Sequence, residues 1–150
     1  MRAIVQRVSE ASLLINNSKE EKIKKGLIIL LGIEENDSKD DIEWLSGKIA
    51  RLRIFKDSNG IMNLSVCEID GEVMVISQFT LFASTKKGNR PSFIRAAKQG
   101  IAIPIYKKFI AKISSDLNKP VKTGEFGAYM QIYLVNDGPV TIIIDTKNKE

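Results

Sequence analysis

The stretch LIILLGI, from Leu27 to Ile33, is the longest apolar run of the 150-residue chain. A short continuous apolar run of this kind is typical of a β-strand that is buried in the protein interior. The run contains Gly32 and is far too short to span a bilayer, which needs about 20 apolar residues. The sequence therefore predicts a buried strand here and no contact with a membrane.

Shorter strand patterns lie on both sides of this run. Before it, Ala3 to Val8 and Ala11 to Ile15 read as two short strands. After it, four further segments have strand character, and Glu72 to Ser77 is apolar enough to be buried on both faces. These segments are Leu52 to Phe55, Glu72 to Ser77, Tyr129 to Val135 and Val140 to Asp145.

Two segments have the spacing of amphipathic helices. Ser38 and Asp41 form a capping-box pattern before the first, whose apolar residues recur at helical spacing from Ile42 to Leu52. The second is predicted over about 104–117, because Pro104 suits a first helical turn. The sequence therefore predicts an α+β fold, with largely antiparallel β-sheets forming a barrel-like core and two main helices, in a single domain spanning residues 1–150.

Composition narrows the possible chemistry. With 43% hydrophobic and 27% charged residues the chain is typical of a soluble globular protein. Its one cysteine, Cys67, excludes an internal disulfide, and the charged N-terminal segment MRAIVQRVSE does not resemble a signal peptide, so we expect a cytoplasmic protein. The chain has no histidine, which removes imidazole bases and histidine-built zinc sites. We expect no metal or cofactor.

Basic residues are concentrated between Thr85 and Lys122, where ten lysines and arginines accompany one acid, Asp116. Such segregation favours a polyanionic partner, of which nucleic acid is the usual one. The alternative is an ordinary solvated helix face with a few surface lysines. The candidate contacts to nucleic acid are Lys86, Lys87, Arg90, Lys107, Lys108 and Lys112.

Three short motifs carry the candidate chemistry. SQFTLF, from Ser77 to Phe82, follows a predicted buried strand, so its hydroxyls and amide are placed either to face a pocket or to bond nearby backbone. KGNRPSF, from Lys87 to Phe93, is a basic loop. NDGPVT, from Asn136 to Thr141, contains an Asp-Gly pair between two apolar runs, which by itself predicts a hairpin turn.

Taken together with MRAIVQRVSEASL at the start and TGEFGA from Thr123 to Ala128, the three motifs closely resemble the D-aminoacyl-tRNA deacylases along essentially the whole chain. Both patterns that mark this family, SQxxL and NxGPxT, are present. The resemblance implies a homodimer that hydrolyses the ester between a D-amino acid and the 3′-terminal adenosine of tRNA. It also implies that Gly138-Pro139 is a cis pair that reaches into the active site of the partner subunit.

The resemblance further implies roles for individual residues. Arg7 is expected to hold the carbonyls of the Gly138-Pro139 pair. Ser77, Gln78, Phe79 and Thr80 are expected to form the wall that receives the aminoacyl group, with the backbone N–H groups of Phe79 and Thr80 near the reacting ester. The basic segment is then the platform for tRNA.

A cis Gly-Pro pair aimed at the substrate α-carbon predicts a steric filter, because an L side chain would collide with backbone while a D side chain points away. Glycine has no side chain to exclude, so such a filter should leak glycyl-tRNA. The nucleophile is either water, assisted by the 2′-hydroxyl of the terminal ribose, or Thr80 itself. A nucleic-acid-binding module without hydrolytic activity and a general ester or peptide hydrolase are the alternative functions.

Overall fold

The computed structural model describes all residues from 1 to 150. The chain forms eight β-strands and two α-helices. The two helices are α1 and α2, and a short 3₁₀-helix, Phe79–Phe82, follows the sixth strand. The bounds are β1 Arg2–Ile15, β2 Lys19–Ile23, β3 Gly26–Gly32, α1 Lys39–Ala50, β4 Phe55–Lys56, β5 Met62–Leu64, β6 Glu72–Ser77, α2 Gln99–Leu117, β7 Lys122–Thr123 and β8 Met130–Asp145.

Six strands form one mixed sheet that is nearly closed into a barrel, which confirms the predicted fold class. The long strand β1 pairs antiparallel with β2, β3 and β8, whereas β3 pairs parallel with β6 and β6 pairs parallel with β7. Strands β4 and β5 form a separate small hairpin. None of the helices combines the length and the apolarity that a membrane crossing requires.

The buried strand predicted from LIILLGI is confirmed as β3, which lies between β1 and β6. Leu27, Ile29 and Leu31 belong to the larger apolar cluster, which also holds the buried faces of α1 and α2. Ile28 points to the opposite side and belongs to a second cluster together with Met74. The strand has no polar alternation because both of its faces meet apolar layers.

Two pairs of predicted strands are in fact single continuous strands. Ala3 to Val8 and Ala11 to Ile15 both lie in β1, and the two segments that flank NDGPVT both lie in β8. The predicted hairpin turn at Asp137-Gly138 is therefore wrong. β8 pairs with β1 from Met130 to Asp145, and the motif forms a bulge inside this pairing.

Both predicted helices are present, but the start of α2 and the strand after α1 differ from the prediction. The capping box of Ser38 and Asp41 is present at the start of α1. α2 begins at Gln99, five residues before Pro104, so the prediction that Pro104 occupies the first turn is wrong. The helix tolerates this proline at the loss of one backbone hydrogen bond. The predicted strand from Leu52 to Phe55 is reduced to Phe55–Lys56, because the preceding residues form the connection that follows α1.

Candidate active site

A pocket of about 620 Å³ opens where β6 ends. One wall is the end of β6 and the turn after it, with Ser77, Gln78 and Phe79. The other sides are formed by residues 126–130 with Ile132, and by residues 96–99 with Phe93. Three of the residues predicted to receive the aminoacyl group therefore line the same pocket, although they share it with two segments distant in sequence.

Backbone packing fixes the SQFTLF turn against the central strand. The N–H of Gln78 donates to the carbonyl of Leu31 at 2.8 Å. A Cβ atom added at Gly32 would lie 3.0 Å from the Cβ of Leu81 and 3.2 Å from the carbonyl oxygen of Gln78. Glycine at this position therefore lets the turn pack closely against β3, and a larger residue would require the turn to shift.

Arg2 holds the far end of the same turn. Its Nη1 donates to the carbonyl of Leu81 at 3.1 Å, and its guanidinium lies 4.9 Å from the ring centroid of the buried Phe82. Its Nε donates to Asp145 at 2.7 Å. Burial of Asp145 opposes its charge, but the bond from Arg2 outweighs this and holds the pKa of Asp145 below its usual range. The turn is thus attached to both β3 and β8.

Thr80 lies in the turn but is not one of the residues that line the pocket. Its hydroxyl oxygen accepts a hydrogen bond from the side-chain amide of Gln78. None of the lining residues carries a carboxylate, and their only ionisable side chains are Lys98 and Tyr129. The Thr80 hydroxyl therefore accepts a hydrogen bond from Gln78 and makes no hydrogen bond to a carboxylate.

Aromatic side chains add apolar surface to the pocket. Phe79 is 53% exposed, and its ring meets that of Phe93 edge-on, with the centroids 5.1 Å apart. Phe126 and Tyr129 contribute the facing side. The sequence motifs alone predict no individual role for Phe93, Lys98, Phe126 or Tyr129. The sequence signal for a role of Phe93 and Phe126 is that they lie in the motifs KGNRPSF and TGEFGA.

The NDGPVT bulge has its own hydrogen-bond framework. Four residues, from Asp137 to Val140, lie between two residues paired with β1 and stand opposite Arg7 alone. The side-chain oxygen of Asn136 accepts from the N–H of Val140 at 3.0 Å, and its amide nitrogen donates to the Thr141 hydroxyl at 3.0 Å. The asparagine and threonine of the NxGPxT pattern therefore bridge the base of the bulge.

Gly138 and Arg7 form the inner side of this bulge. The Gly138-Pro139 bond is cis, and Gly138 has a φ of 135°, which side-chain-bearing residues rarely adopt. The buried Arg7 donates through Nε to the carbonyl of Asp137 at 3.0 Å and through Nη1 to the carbonyl of Ile54. Arg7 thus holds the residue before the pair, whereas the resemblance implied contacts with the carbonyls of the pair itself.

The single chain does not bring the Gly-Pro pair into the pocket. Gly138 and Pro139 are both exposed, and neither lines the pocket at the end of β6. The two halves of the expected site are therefore separate surfaces of one chain.

The candidate tRNA contacts occupy two exposed regions. Lys86, Lys87 and Arg90 lie in the loop after the turn, and Lys107 and Lys108 project from α2. None of these five forms an ion pair, whereas Lys112 pairs with Asp116. That pair, together with a hydrogen bond from Ser46, lowers the pKa of Asp116 although burial opposes the shift. The charge of Lys112 is thus partly neutralised. Lys98, unlike Lys112, lines the pocket.

Comparison with known proteins agrees with these motifs along the full chain. The family described as D-Tyr-tRNA(Tyr) deacylase matches residues 4–145. Proteins named D-aminoacyl-tRNA deacylase from Bacteroides fragilis (strain YCH46) and Parabacteroides distasonis are 61% and 60% identical, each over 150 residues that cover all of both chains.

Two solved structures share the fold. One described as "c-Myc DNA Unwinding Element Binding Protein" has a TM-score of 0.90 and 37% identity, over 97% of this chain and 98% of that chain. A probable eukaryotic D-amino acid tRNA deacylase has a TM-score of 0.82 at 17% identity, over 95% of this chain and 97% of that chain, and this likeness concerns the fold alone. By the match over residues 4–145 and the full-length relatives, the chain belongs to the D-Tyr-tRNA(Tyr) deacylase family.

Proposed function

We propose that this chain hydrolyses the ester bond of D-aminoacyl-tRNA and releases a free D-amino acid and tRNA. The observation that carries the proposal is the pocket built around the SQxxL turn, in a chain that matches named D-aminoacyl-tRNA deacylases over its whole length. In the reaction, water adds its oxygen to the acyl carbon, the bond from that carbon to the ribose 3′-oxygen breaks, and a proton passes to that oxygen.

The pocket favours a mechanism that relies on the substrate and on backbone groups. With no histidine in the chain and no carboxylate in the pocket lining, the 2′-hydroxyl of the terminal ribose is the better-placed group to assist water. The N–H groups of Phe79 and Thr80 open a 3₁₀-helix, where the first donors have no intrahelical acceptor. Such donors stabilise a tetrahedral oxyanion by about 2.7–4 kcal/mol each in other enzymes.

Thr80 then acts on the substrate through Gln78, which lines the pocket, and does not attack the ester itself. Its hydroxyl is engaged by the amide of Gln78, and activation of a threonine hydroxyl requires an adjacent base. The alternative, a covalent acyl-Thr80 intermediate, breaks the same ester bond by transferring the acyl group to the Thr80 oxygen before water releases it.

The chiral filter is proposed to come from a second copy of the chain. Gly138 and Pro139 are exposed and lie outside the pocket of their own chain. The residues on either side of the pair are held by Arg7, which bonds to Asp137, and by Asn136, which bonds to Val140. β8 pairs only with β1, so its other edge is free in a single chain. Tyr133, Val135 and Ile143, all on this strand, expose more than half of their surface. A homodimer would cover this surface and place each Gly-Pro pair near the partner's pocket.

Backbone is well suited to reject L-amino acids of every kind. Gly138 and Pro139 have no rotatable side chain that could adjust to an intruding group, and the carbonyls here can accept bonds from the substrate ammonium. A side chain in the L configuration would meet this backbone, whereas a D side chain points away. Glycine presents only hydrogens, so the filter leaks glycyl-tRNA.

The exposed basic residues are proposed to bind the acceptor stem of tRNA. Lys86, Lys87, Arg90, Lys107 and Lys108 are unpaired, and contacts of such residues with phosphates position a nucleic acid without reading its sequence. The enzyme should therefore accept many tRNAs.

A second candidate function is nucleic-acid binding without hydrolysis. It is favoured by the same basic surface and by the structural relative at 37% identity that is described as a DNA-unwinding-element-binding protein. The SQxxL turn and the NxGPxT bulge argue for the hydrolase, because a binding module needs neither of them.

Matched D-Tyr-tRNA and L-Tyr-tRNA, incubated with the protein at equal concentration, separate the candidates. The deacylase releases D-tyrosine and leaves the L ester intact. A binding module retards both RNAs in a gel and leaves both esters intact, and a general hydrolase cleaves both substrates. Light scattering during the assay tests the shared site, since a fully active monomer would contradict it.

A further inference from the structure

Tyr106 lies on the buried face of α2 and contacts one residue of the pocket wall, Phe126, and one residue of β6 behind it, Val75. Its ring meets that of Phe126 at a centroid distance of 6.0 Å and an interplanar angle of 65°. Its hydroxyl donates to the carbonyl of Val75 at 2.8 Å. Burial raises the pKa of Tyr106, so this hydroxyl remains a protonated donor throughout the physiological range.

The carbonyl of Val75 is a junction between three elements. It accepts from the hydroxyl of Tyr106 and also from the N–H of Gly124, at 3.3 Å. Val75 lies in β6 two residues before Ser77, and Gly124 begins the loop that contains Phe126. The segments that lead into two walls of the pocket are therefore joined at one oxygen atom, and Tyr106 bonds to that atom from a third element.

The loop with Phe126 is anchored at both ends. At its far end, the N–H of Tyr129 donates to the side chain of Asn16 at 3.2 Å, and the N–H of Asn16 donates to the carbonyl of Tyr129 at 2.9 Å. Phe126 lies between these anchors and lines the pocket, and the ring of Tyr106 packs against it. The anchors hold the loop backbone, and Tyr106 supports the Phe126 side chain.

We infer that Tyr106 is a positioning residue for deacylation, which fixes Phe126 and the end of β6 in the arrangement that fits the aminoacyl-adenosine. The inference rests on the proposed placement of the reaction in this pocket. Tyr106 acts through Phe126 and Val75 and does not itself line the pocket. The following residues, Lys107 and Lys108, face solvent on the same turn of α2, so binding of tRNA phosphates is separate from alignment of the ester.

Steady-state kinetics with D-Tyr-tRNA test this role. Tyr106→Phe keeps the ring and removes one hydrogen bond, and because Val75 retains the bond from Gly124 we expect kcat to fall about three- to tenfold. Tyr106→Leu removes the ring that supports Phe126, and a displacement of about 1 Å at a reacting group can cost about 100-fold in kcat. KM for tRNA should hold for both variants, because the phosphate contacts are unchanged.

Ile113→Val is the matched structural control, since Ile113 is buried on the same face of α2 and does not line the pocket. It should lower Tm to a similar extent as Tyr106→Phe while leaving kcat unchanged. If Ile113→Val lowers kcat as much as Tyr106→Phe does, or if Tyr106→Phe keeps full kcat, the positioning role is refuted. Tyr106→Phe suffices for this comparison if Tyr106→Leu does not fold.

Phe126→Leu separates failure of this inference from failure of the proposed site. Unchanged kcat in Phe126→Leu would contradict the placement of the reaction in this pocket. It would also contradict the role of Tyr106, which depends on that placement. Reduced kcat in Phe126→Leu beside normal kcat in the Tyr106 variants would refute only the positioning role. The double variant Tyr106→Leu/Phe126→Leu should lose less than the sum of the two single losses, because the residues act as one unit.

Discussion

Gly138→Ala should damage both the stability and the activity of the protein. A Cβ atom at this position would lie 2.8 Å from Val140 Cγ2 and 2.9 Å from Arg7 Nη2, and the φ of 135° disfavours any side chain. Arg7 is buried and already bonded to the carbonyls of Asp137 and Ile54, so it has little room to move. We expect a loss of about 2 kcal/mol in the free energy of unfolding, or roughly 6 °C in Tm.

The assay compares release of D-tyrosine from D-Tyr-tRNA with urea unfolding of the same variants. Gly60→Ala is the matched control, because Gly60 also has a positive φ, of 78°, but an added Cβ there would meet nothing within 4 Å. Gly60→Ala should lose stability without losing activity per folded molecule, whereas Gly138→Ala should lose at least tenfold in kcat/KM, or about 1.4 kcal/mol. Full D activity in folded Gly138→Ala would refute the role given to this backbone.

Three other predictions concern Thr80, the basic surface and pH. Thr80→Ala should keep substantial activity, and a loss of several orders of magnitude at constant tRNA affinity, or an acyl-Thr80 adduct in mass spectra, would favour covalent catalysis. Lys107→Ala/Lys108→Ala should reduce the slope of log K for tRNA binding against log salt concentration by about one per lost phosphate contact. Lys112→Ala should change this slope little, because Lys112 is paired with Asp116. Equal slopes for the two variants and the unchanged protein would mean that α2 does not contact the tRNA. Burial opposes the charge of Asp41, but bonds from Lys147, Thr146 and Ser38 hold its pKa well below its usual range. The resulting stabilisation is present above the unfolded pKa of Asp41, near 4, and is lost as pH falls. In urea titrations, Lys147→Ala should therefore lose less free energy of unfolding between about pH 5 and 2 than the unchanged protein does. An unchanged pH dependence would contradict this prediction.

Local signals predicted the elements whose causes are local. The capping box of Ser38 and Asp41 requires only neighbouring residues, and it is present at the start of α1. The run from Leu27 to Ile33 identified the central strand because apolar layers on both faces remove all polar alternation. The fold class followed from these elements and the further strand patterns.

Features that depend on distant pairing were not predicted. Asp137-Gly138 has the composition of a hairpin turn, and only its pairing with β1 on both sides shows that it is a bulge in one strand. Pro104 was a plausible helix start, but the backbone of Lys98 already accepts hydrogen bonds from Ile101 and Ala102.

Only the contiguous part of the candidate site could be predicted, because the rest comes from segments that are distant in sequence. Ser77, Gln78 and Phe79 are contiguous in one motif and line one pocket. The wall that receives the aminoacyl group, which the family resemblance implies for Ser77 to Thr80, stays a prediction. Phe93 and Phe126 reach the pocket from loops far apart in the chain. Helical spacing places Tyr106 on the apolar face of α2 and does not reveal that its hydroxyl bonds to another element.

The most direct test of the chiral filter compares three amino acids esterified to one tRNA. D-alanyl-tRNA should be hydrolysed fast, and glycyl-tRNA should be hydrolysed measurably because it presents no side chain to the Gly138-Pro139 backbone. L-alanyl-tRNA, which differs from the D ester only in the direction of one methyl group, should be refused. Equal refusal of glycyl- and L-alanyl-tRNA would show that the enzyme selects by positive recognition of a D side chain, and it would contradict the steric account.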